Sequence, residues 1–460
     1  MMKRIALWAW LVCMAGSICQ AQTFVNLVDF DDENGANPQF LALVQGVDGN
    51  YYGNTTLGGA YNQGTVFQVT PDGVLTTLYS FKATDDGSIP HGTLLLNTDG
   101  NYYGATEYQG VNKYGTIFKI SPNGVFSTLY SFSGPDGNGP QDGLIRGTDG
   151  YLYGVTQLGG AYNAGTVFKI NTSGVLTNLH NFNPASEGAE PLGALLHAND
   201  GYFYGVTQFG GPSNLGTIFR MTRAGKLTTL HSFSGPDGAE PFSQLLQASD
   251  GNIYGTTNVG GAYNGGTVFR LSPGSRVTTI YSFCAQPDCA DGAIPIGALI
   301  QATDQNLYGT CANLIHGLYA HGSVFSLTPG GVLKTLHSFD IQDGADPHGG
   351  LLQATTGVFY GNTFVGGAHH FGTLFSLDTG LGPFVSLPIN YGKAGQVRGI
   401  LGQGFTGTIS VSFNGTPAKF KVKSDTFVTA IIPAAATTGY VTLTSSNGTL
   451  TSNKPFTVLH

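Results

Sequence analysis

A unit of about 50 residues recurs seven times between Phe24 and Leu387, and no other feature restricts the fold as tightly. A period of that size belongs to propellers, solenoids and arrays, in which each copy buries its apolar faces only against its neighbours. Every copy carries a Tyr-Gly pair, with glycines at Gly53, Gly104, Gly154, Gly205, Gly255, Gly309 and Gly361. A Gly-Thr or Gly-Ser pair follows at Gly64, Gly115, Gly165, Gly216, Gly266, Gly322 and Gly372. In the copy from Pro241 to Phe283, turn residues separate four stretches rich in β-branched and aromatic side chains. The first ends at the tight-turn dipeptide Asp250-Gly251, the second covers 252–257, the third 267–271, and the fourth runs from Val277 to Phe283. Four antiparallel strands per copy make a propeller blade, so the repeat predicts a seven-bladed ring.

Blades that pack face to face need large apolar side chains at equivalent strand positions. Tyr52, Tyr103, Tyr153, Tyr204, Tyr254, Tyr308 and Tyr360 supply one set, and Phe67, Phe118, Phe168, Phe219, Phe269, Phe325 and Phe375 a second. A third set, Phe81, Phe132, Phe182, Phe233, Phe283 and Phe339, closes the fourth strands. All of them read as core. The stretch from Phe24 to Phe30 looks like a fourth strand with no first three before it. Ring closure explains it: this strand completes the last blade beside residues 373–377 and hides an open edge, with residues 384–387 as the competing segment. From Pro388 the period stops, and short alternating runs such as 409–413, 420–423, 426–430 and 440–443 suit a small β-sandwich. The expected fold is therefore all-β: a seven-bladed propeller over residues 22–387 and an immunoglobulin-like sandwich over 388–460.

Lys3 and Arg4, the apolar run from Ile5 to Ile18, and then Cys19-Gln20-Ala21 have the order of a secretory signal peptide. Residues 1–21 are thus expected to be removed, and the mature chain to be secreted or periplasmic without a membrane span. Losing Lys3 and Arg4 takes the formal charge from −8 to −10, which argues against a nucleic-acid partner. Cys284 and Cys289 flank a short turn and are expected to form a disulfide in that compartment, which leaves Cys311 odd.

The motifs Asp-Gly-Asn, Tyr-Gly-x-Thr, Gly-Gly-Ala-Tyr-Asn-x-Gly-Thr-Val-Phe and Leu-Thr-Thr-Leu-Tyr-Ser-Phe together resemble the GloVer tandem repeat of exported bacterial proteins. The sixth copy departs from the pattern, with Cys311-Ala312-Asn313-Leu314-Ile315-His316 in place of its Thr and Gly-Gly segment. That resemblance implies export and repetition and carries no catalytic residues with it. Residues 402–405, 411–415, 424–426 and 432–433 are similar to an IPT/TIG domain, a module that usually serves as a spacer or interaction unit.

In an antiparallel blade, the turn between the second and third strands and the connection to the next blade emerge on one face. Function is expected there. Tyr61, Tyr162 and Tyr263, with Asn62, Asn163, Asn214 and Asn264, are candidate ligand contacts, since aromatic rings and amides together suit a sugar. The same asparagines and glycines also serve tight turns. Acidic connections hold Asp85, Asp86, Asp136, Glu187, Asp237, Glu240, Asp291, Asp343 and Asp346, without the alternating spacing of a calcium loop. His348, His369 and His370, with His316 and His321, would make a metal site if they converged. The sequence implies no cofactor. Extracellular polysaccharide or another surface protein is the expected partner of a non-catalytic protein. The alternative is a carbohydrate-active enzyme, a glycoside hydrolase or polysaccharide lyase, on the same face.

Overall fold

The computed structural model describes residues 22–312 and 321–459; the expected signal peptide and His316 lie outside them. Seven four-stranded antiparallel sheets follow one another along the chain. Numbered in chain order, blade 5 consists of Leu246–Gln247, Ile253–Thr257, Thr267–Leu271 and Val277–Ser282, very close to the runs expected from sequence. Blade 7 pairs Leu352–Gln353, Phe359–Thr363 and Thr373–Asp378 with Thr23–Asp29 as its fourth strand. The N-terminal strand copies its counterparts in detail. Its register shifts between Asn26 and Val28 opposite Phe375 and Leu374, where blade 1 shifts between Val66 and Phe67.

The sheets close into a ring. The Gln353 side chain accepts from the Thr303 amide at 3.1 Å, and across the seam Gln45 accepts from the Thr355 amide at 3.1 Å. Each blade boundary holds its own apolar cluster, including one that joins blade 7 to blade 1 through Phe30, Leu41, Tyr51, Phe67 and Tyr360. At the centre of each cluster, the phenylalanine ending one blade meets the third-strand phenylalanine of the next. Phe81 meets Phe118 at 5.4 Å, Phe132 meets Phe168 at 5.2 Å, and Phe283 meets Phe325 at 5.2 Å, each edge to face. Phe30 meets Phe67 at 5.6 Å and so supplies the seventh member of the strand-end set.

The Tyr-Gly glycine is required by close approach. A Cβ on Gly53 would stand 2.7 Å from the Phe67 ring and 2.9 Å from Leu43. The neighbouring tyrosines do more than fill the core. Tyr103, Tyr153, Tyr204 and Tyr254 each donate to the aspartate of their own Asp-Gly or Asn-Asp-Gly turn at 2.7 Å, which ties turn to strand.

Beyond the ring, Val397–Leu401, Phe427–Ile431 and Phe420–Val422 form one sheet of a sandwich. The other contains Thr416–Pro417, Thr408–Phe413, Val441–Ser445 and Gly448–Thr451. Ile400, Phe405, Val411, Phe413, Val428 and Phe456 fill the space between them. The segment that competed for ring closure belongs here: Val385 packs in this core and Ser386 bridges to Leu401. The sandwich thus begins before Pro388, because apolar residues still in the last connection are recruited to it. Changing Phe30 to Ala is expected to cost about 3–5 kcal/mol in denaturant unfolding, as for a large core truncation, and to match the cost of Phe81→Ala at an ordinary blade boundary.

Candidate functional site

The sandwich takes one end of the ring. Tyr391 donates to the Gly147 carbonyl at 2.9 Å, Thr426 to Val47 at 3.0 Å and Gln403 to Thr355 Oγ1 at 3.2 Å, all at turns after first strands. The opposite end carries the blade connections, and these share one backbone device. The residue before the connection's proline has positive φ in every blade: Asn37 54°, Ile89 56°, Gly139 67°, Glu190 57°, Glu240 53°, Ile294 56° and Asp346 58°. Its amide reaches back to the preceding blade, as Ile89 to Gln63 at 3.0 Å and Glu240 to Leu215 at 2.9 Å. The proline then packs against the preceding blade's Gly-Thr or Gly-Ser glycine; a Cβ on Gly216 would lie 2.6 Å from Pro241 Cδ. A β-branched residue at positive φ costs on the order of 1–3 kcal/mol, so Ile89 and Ile294 hold this conformation because the frame imposes it.

After each proline the frame stops repeating. The positions read Gln39 and Phe40 in blade 1, then His91, Gln141, Leu192, Phe242, Ile296 and His348. A second variable position, next after the second-strand Thr or Cys that faces the third strand's first residue, reads Thr56, Glu107, Gln157, Gln208, Asn258, Ala312 and Phe364. Phe40, Phe242, Ile296 and His348 line a cavity of about 130 Å³ at the centre of this face. Phe40 and Phe242, from blades 1 and 5, meet across it at 4.6 Å. His348 is stacked between Phe40 at 5.3 Å and Phe364 at 4.9 Å.

Around these rings lie polar groups with incomplete partnerships. His91 is 5% exposed, and neither ring nitrogen makes a hydrogen bond; Glu107 Oε2 lies 3.4 Å from Nδ1 but out of line. His348 Nε2 is likewise buried without a hydrogen bond, although Asp346 Oδ1 is 3.0 Å away. Burial, with the nearby His348 adding to it, pushes the His91 imidazole down to about 4, and burial pushes the Glu107 carboxyl above its ordinary range. Gln141 donates to Glu107 at 2.6 Å and to Gln157 at 2.7 Å, and Gln157 donates to Glu190 at 2.8 Å. Amides, carboxylates and imidazoles thus surround the aromatic rings of this mouth.

The residues singled out from sequence fall elsewhere on the same face. Tyr61, Tyr162 and Tyr263 are 53%, 58% and 57% exposed on loops of blades 1, 3 and 5. These loops lean on the fourth strands at the periphery, as the Ala60 amide bonding Ser80 Oγ shows. Standing on alternate blades, the tyrosines do not gather into one pocket. Asn62, Asn163, Asn214 and Asn264 all have positive φ, and each Oδ1 accepts from the first glycine amide of its loop at 2.9–3.1 Å. Their carboxamides therefore build the loop. The acidic connections are similarly occupied: Asp86, Asp237, Asp291 and Asp343 each bind a Tyr or His of the fourth strand and an amide of their own turn. His348 is at the mouth, whereas His369 and His370 lie exposed on a peripheral loop of blade 7. Among the described residues no three His, Cys, Asp or Glu side chains gather as metal ligands. Cys284 and Cys289 are joined as a disulfide; Cys311 is free and buried opposite Ser323, where other blades pair two threonines, and burial holds its thiol well above the usual range.

Sequence reasoning passed over Phe40, His91, Glu107, Gln141 and Phe242. Aligning the seven copies on their prolines would have found most of them, as the places where a regular frame turns irregular.

Fold and site together define a seven-bladed propeller repeat protein with one face capped by a sandwich and the other open around a varied mouth. The chain belongs to the Gloeobacter/Verrucomicrobia repeat family, whose model matches residues 17–147, 99–247 and 193–410. No curated protein matches it. Among solved structures it is similar to the extracellular domain of a protein named as a one component system from B. thetaiotaomicron, at 13% identity and a TM-score of 0.51. That match takes in 96% of this chain and 58% of the other, so the chain spans little more than half of that domain, and the likeness is one of fold. A protein of Bacteroides fragilis named as a 6-phosphogluconolactonase aligns at 16% identity and a TM-score of 0.45, over 66% of this chain and 84% of that one.

The state of His91 has a consequence for acid stability. An unfolded chain takes up a proton on this histidine near pH 6.5, which the folded chain refuses until about pH 4. Its contribution is fully present above pH 6.5 and is lost as pH falls toward 4. His91→Gln is therefore expected to remove on the order of 2–3 kcal/mol of the stability lost between pH 7 and pH 4.5, read by denaturant unfolding at both pH values.

Proposed function

We propose that this is an exported, non-catalytic binding protein that takes extracellular carbohydrate at the mouth of its open propeller face. The peripheral tyrosines add contacts along a longer polymer, and the C-terminal sandwich, read as IPT/TIG-like, spaces or docks the ring. The observation that carries this reading is the concentration of side-chain variation at the mouth, within a frame that otherwise repeats. Aromatic faces at Phe40 and Phe242 suit sugar rings, and the Gln141–Gln157 amides with the Glu107 and Glu190 carboxylates suit hydroxyl groups.

One observation favours the enzyme reading. Burial pushes the Asp142 carboxyl up to about 6, the range of a general acid at neutral pH. Its oxygens are nevertheless engaged by the Gly143 amide at 2.5 Å and the Ala194 amide at 2.7 Å, which makes it a clamp between blades 3 and 4. Binding without turnover is the better account.

The test incubates the mature chain with bacterial and plant polysaccharides and follows retention and product release together. Retention without products is expected, with Phe242→Ala weakening it about tenfold, the equivalent of one lost aromatic contact. Changing Tyr61, Tyr162 and Tyr263 together to Ala is expected to weaken retention of long chains while sparing oligosaccharides. New reducing ends or unsaturated products would overturn the non-catalytic reading, and failure to retain any polysaccharide would overturn carbohydrate as the ligand.

A further inference from the structure

On the opposite end of the ring, where the sandwich meets the propeller, a cleft of about 400 Å³ is lined by Arg146, Thr148, Tyr391, Lys393 and Arg398. Two of the basic residues at this place are departures from the repeat. Position 146 is glutamine in blades 1, 5, 6 and 7, where Gln45, Gln247, Gln301 and Gln353 each accept from a turn amide of an adjacent blade. Arg146 links blades 2 and 3 differently, donating to the Asn97 and Thr98 side chains, and adds a charge. Arg223 stands in the turn before the fourth strand of blade 4 and donates to Thr148 at 2.6 Å. From the sandwich comes Arg398, each of whose nitrogens makes one hydrogen bond, to the Tyr391 carbonyl at 2.8 Å, the Val397 carbonyl at 2.8 Å and Gln396 at 2.6 Å, which leaves the second hydrogens of Nη1 and Nη2 for a ligand. Among the described residues neither Arg146 nor Arg398 has a carboxylate within salt-bridge distance. Asp149, on the cleft wall, is turned to the Tyr153 hydroxyl at 2.7 Å. Burial holds the Arg398 guanidinium below its usual range, and the like charge of Arg146 contributes. In a chain this acidic, the side-chain and carbonyl partners of Arg146 and Arg398 are all neutral acceptors.

We propose that this cleft is an oxyanion-binding site, taking a sulfate, phosphate or carboxylate group between Arg146 and Arg398, independently of the carbohydrate mouth on the other face. Planar guanidinium groups match such oxygens in pairs, and an anion between them relieves their mutual repulsion. The mature full-length chain is titrated calorimetrically with sodium sulfate, sodium phosphate and sodium glucuronate against sodium chloride of equal ionic strength. Saturable binding of at least one oxyanion is expected, weakened tenfold or more in Arg146→Gln and in Arg398→Gln, the loss of one charged hydrogen-bonding partner. Arg146→Gln restores the residue of four other blades, so its circular dichroism and unfolding temperature without ligand should match the parent, which separates lost binding from lost folding. Preference for glucuronate identifies an acidic sugar and preference for sulfate or phosphate a tetrahedral group. Absence of saturable binding, or affinity unchanged in both variants, overturns the site.

Discussion

A four-stranded blade has two apolar faces and covers neither by itself, so everything in this ring depends on contact between one blade and the next. That contact is made by an aromatic pair. The strand-end phenylalanine of each blade is driven edge-on or steeply tilted against the third-strand phenylalanine of its neighbour, over a glycine that must lack a side chain to admit the ring. A linear array would leave two such faces in water. The N-terminal strand removes both by entering blade 7 with the same register shift as any fourth strand and carrying Phe30 to Phe67. Closure joins the two ends of the repeat region and makes stability a property of the whole circle.

Because the frame consumes so many side chains, those it leaves alone carry information. Turn aspartates are taken by tyrosine hydroxyls, connection acids by fourth-strand Tyr or His residues, and loop asparagines by glycine amides. The strained residue and its proline fix the backbone and present the side chain after the proline to the mouth without specifying what it is. His91 sits there buried with neither nitrogen hydrogen-bonded, and His348 with Nε2 unbonded while Nδ1 meets Gln39, an arrangement that costs stability and serves no packing purpose shared by all the blades. The same logic applies at the other end, where Arg146 replaces a glutamine and links blades 2 and 3 through the Asn97 and Thr98 side chains.

The ring was legible because its rules are periodic: turn dipeptides, glycine pairs and aromatic positions recur, and each recurrence confirms the last. Even the closing strand could be recognised from its outer-strand character. The sandwich strands were readable from alternation, but its start was not, since Val385 looks like any strand residue until its partner Ser452 is known. Strand alternation placed the second-to-third turns and the blade connections on one face, as the structure has them, whereas the cavity at the centre of that face was not legible. Exposed tyrosines draw attention in a sequence, yet whether loops lean inward or outward is set by contacts such as Ala60 with Ser80. The mouth residues differ from copy to copy, so a search for repetition discards them, and the pairing of Phe40 with Phe242 joins positions roughly 200 residues apart in sequence.

The central claim is that the frame does not depend on the side chains that follow the connection prolines, which is why they vary from blade to blade. It is tested most directly by the thermal unfolding, at pH 7, of a chain carrying His91→Leu and His348→Leu, which places at both positions the residue that blade 4 already has in Leu192. The account predicts an unfolding temperature equal to or above that of the parent, because two buried, incompletely bonded imidazoles are replaced by side chains that need no partners. A fall of several degrees would show that these histidines hold the ring together, and would contradict the division between a repeated frame and a free, varied mouth.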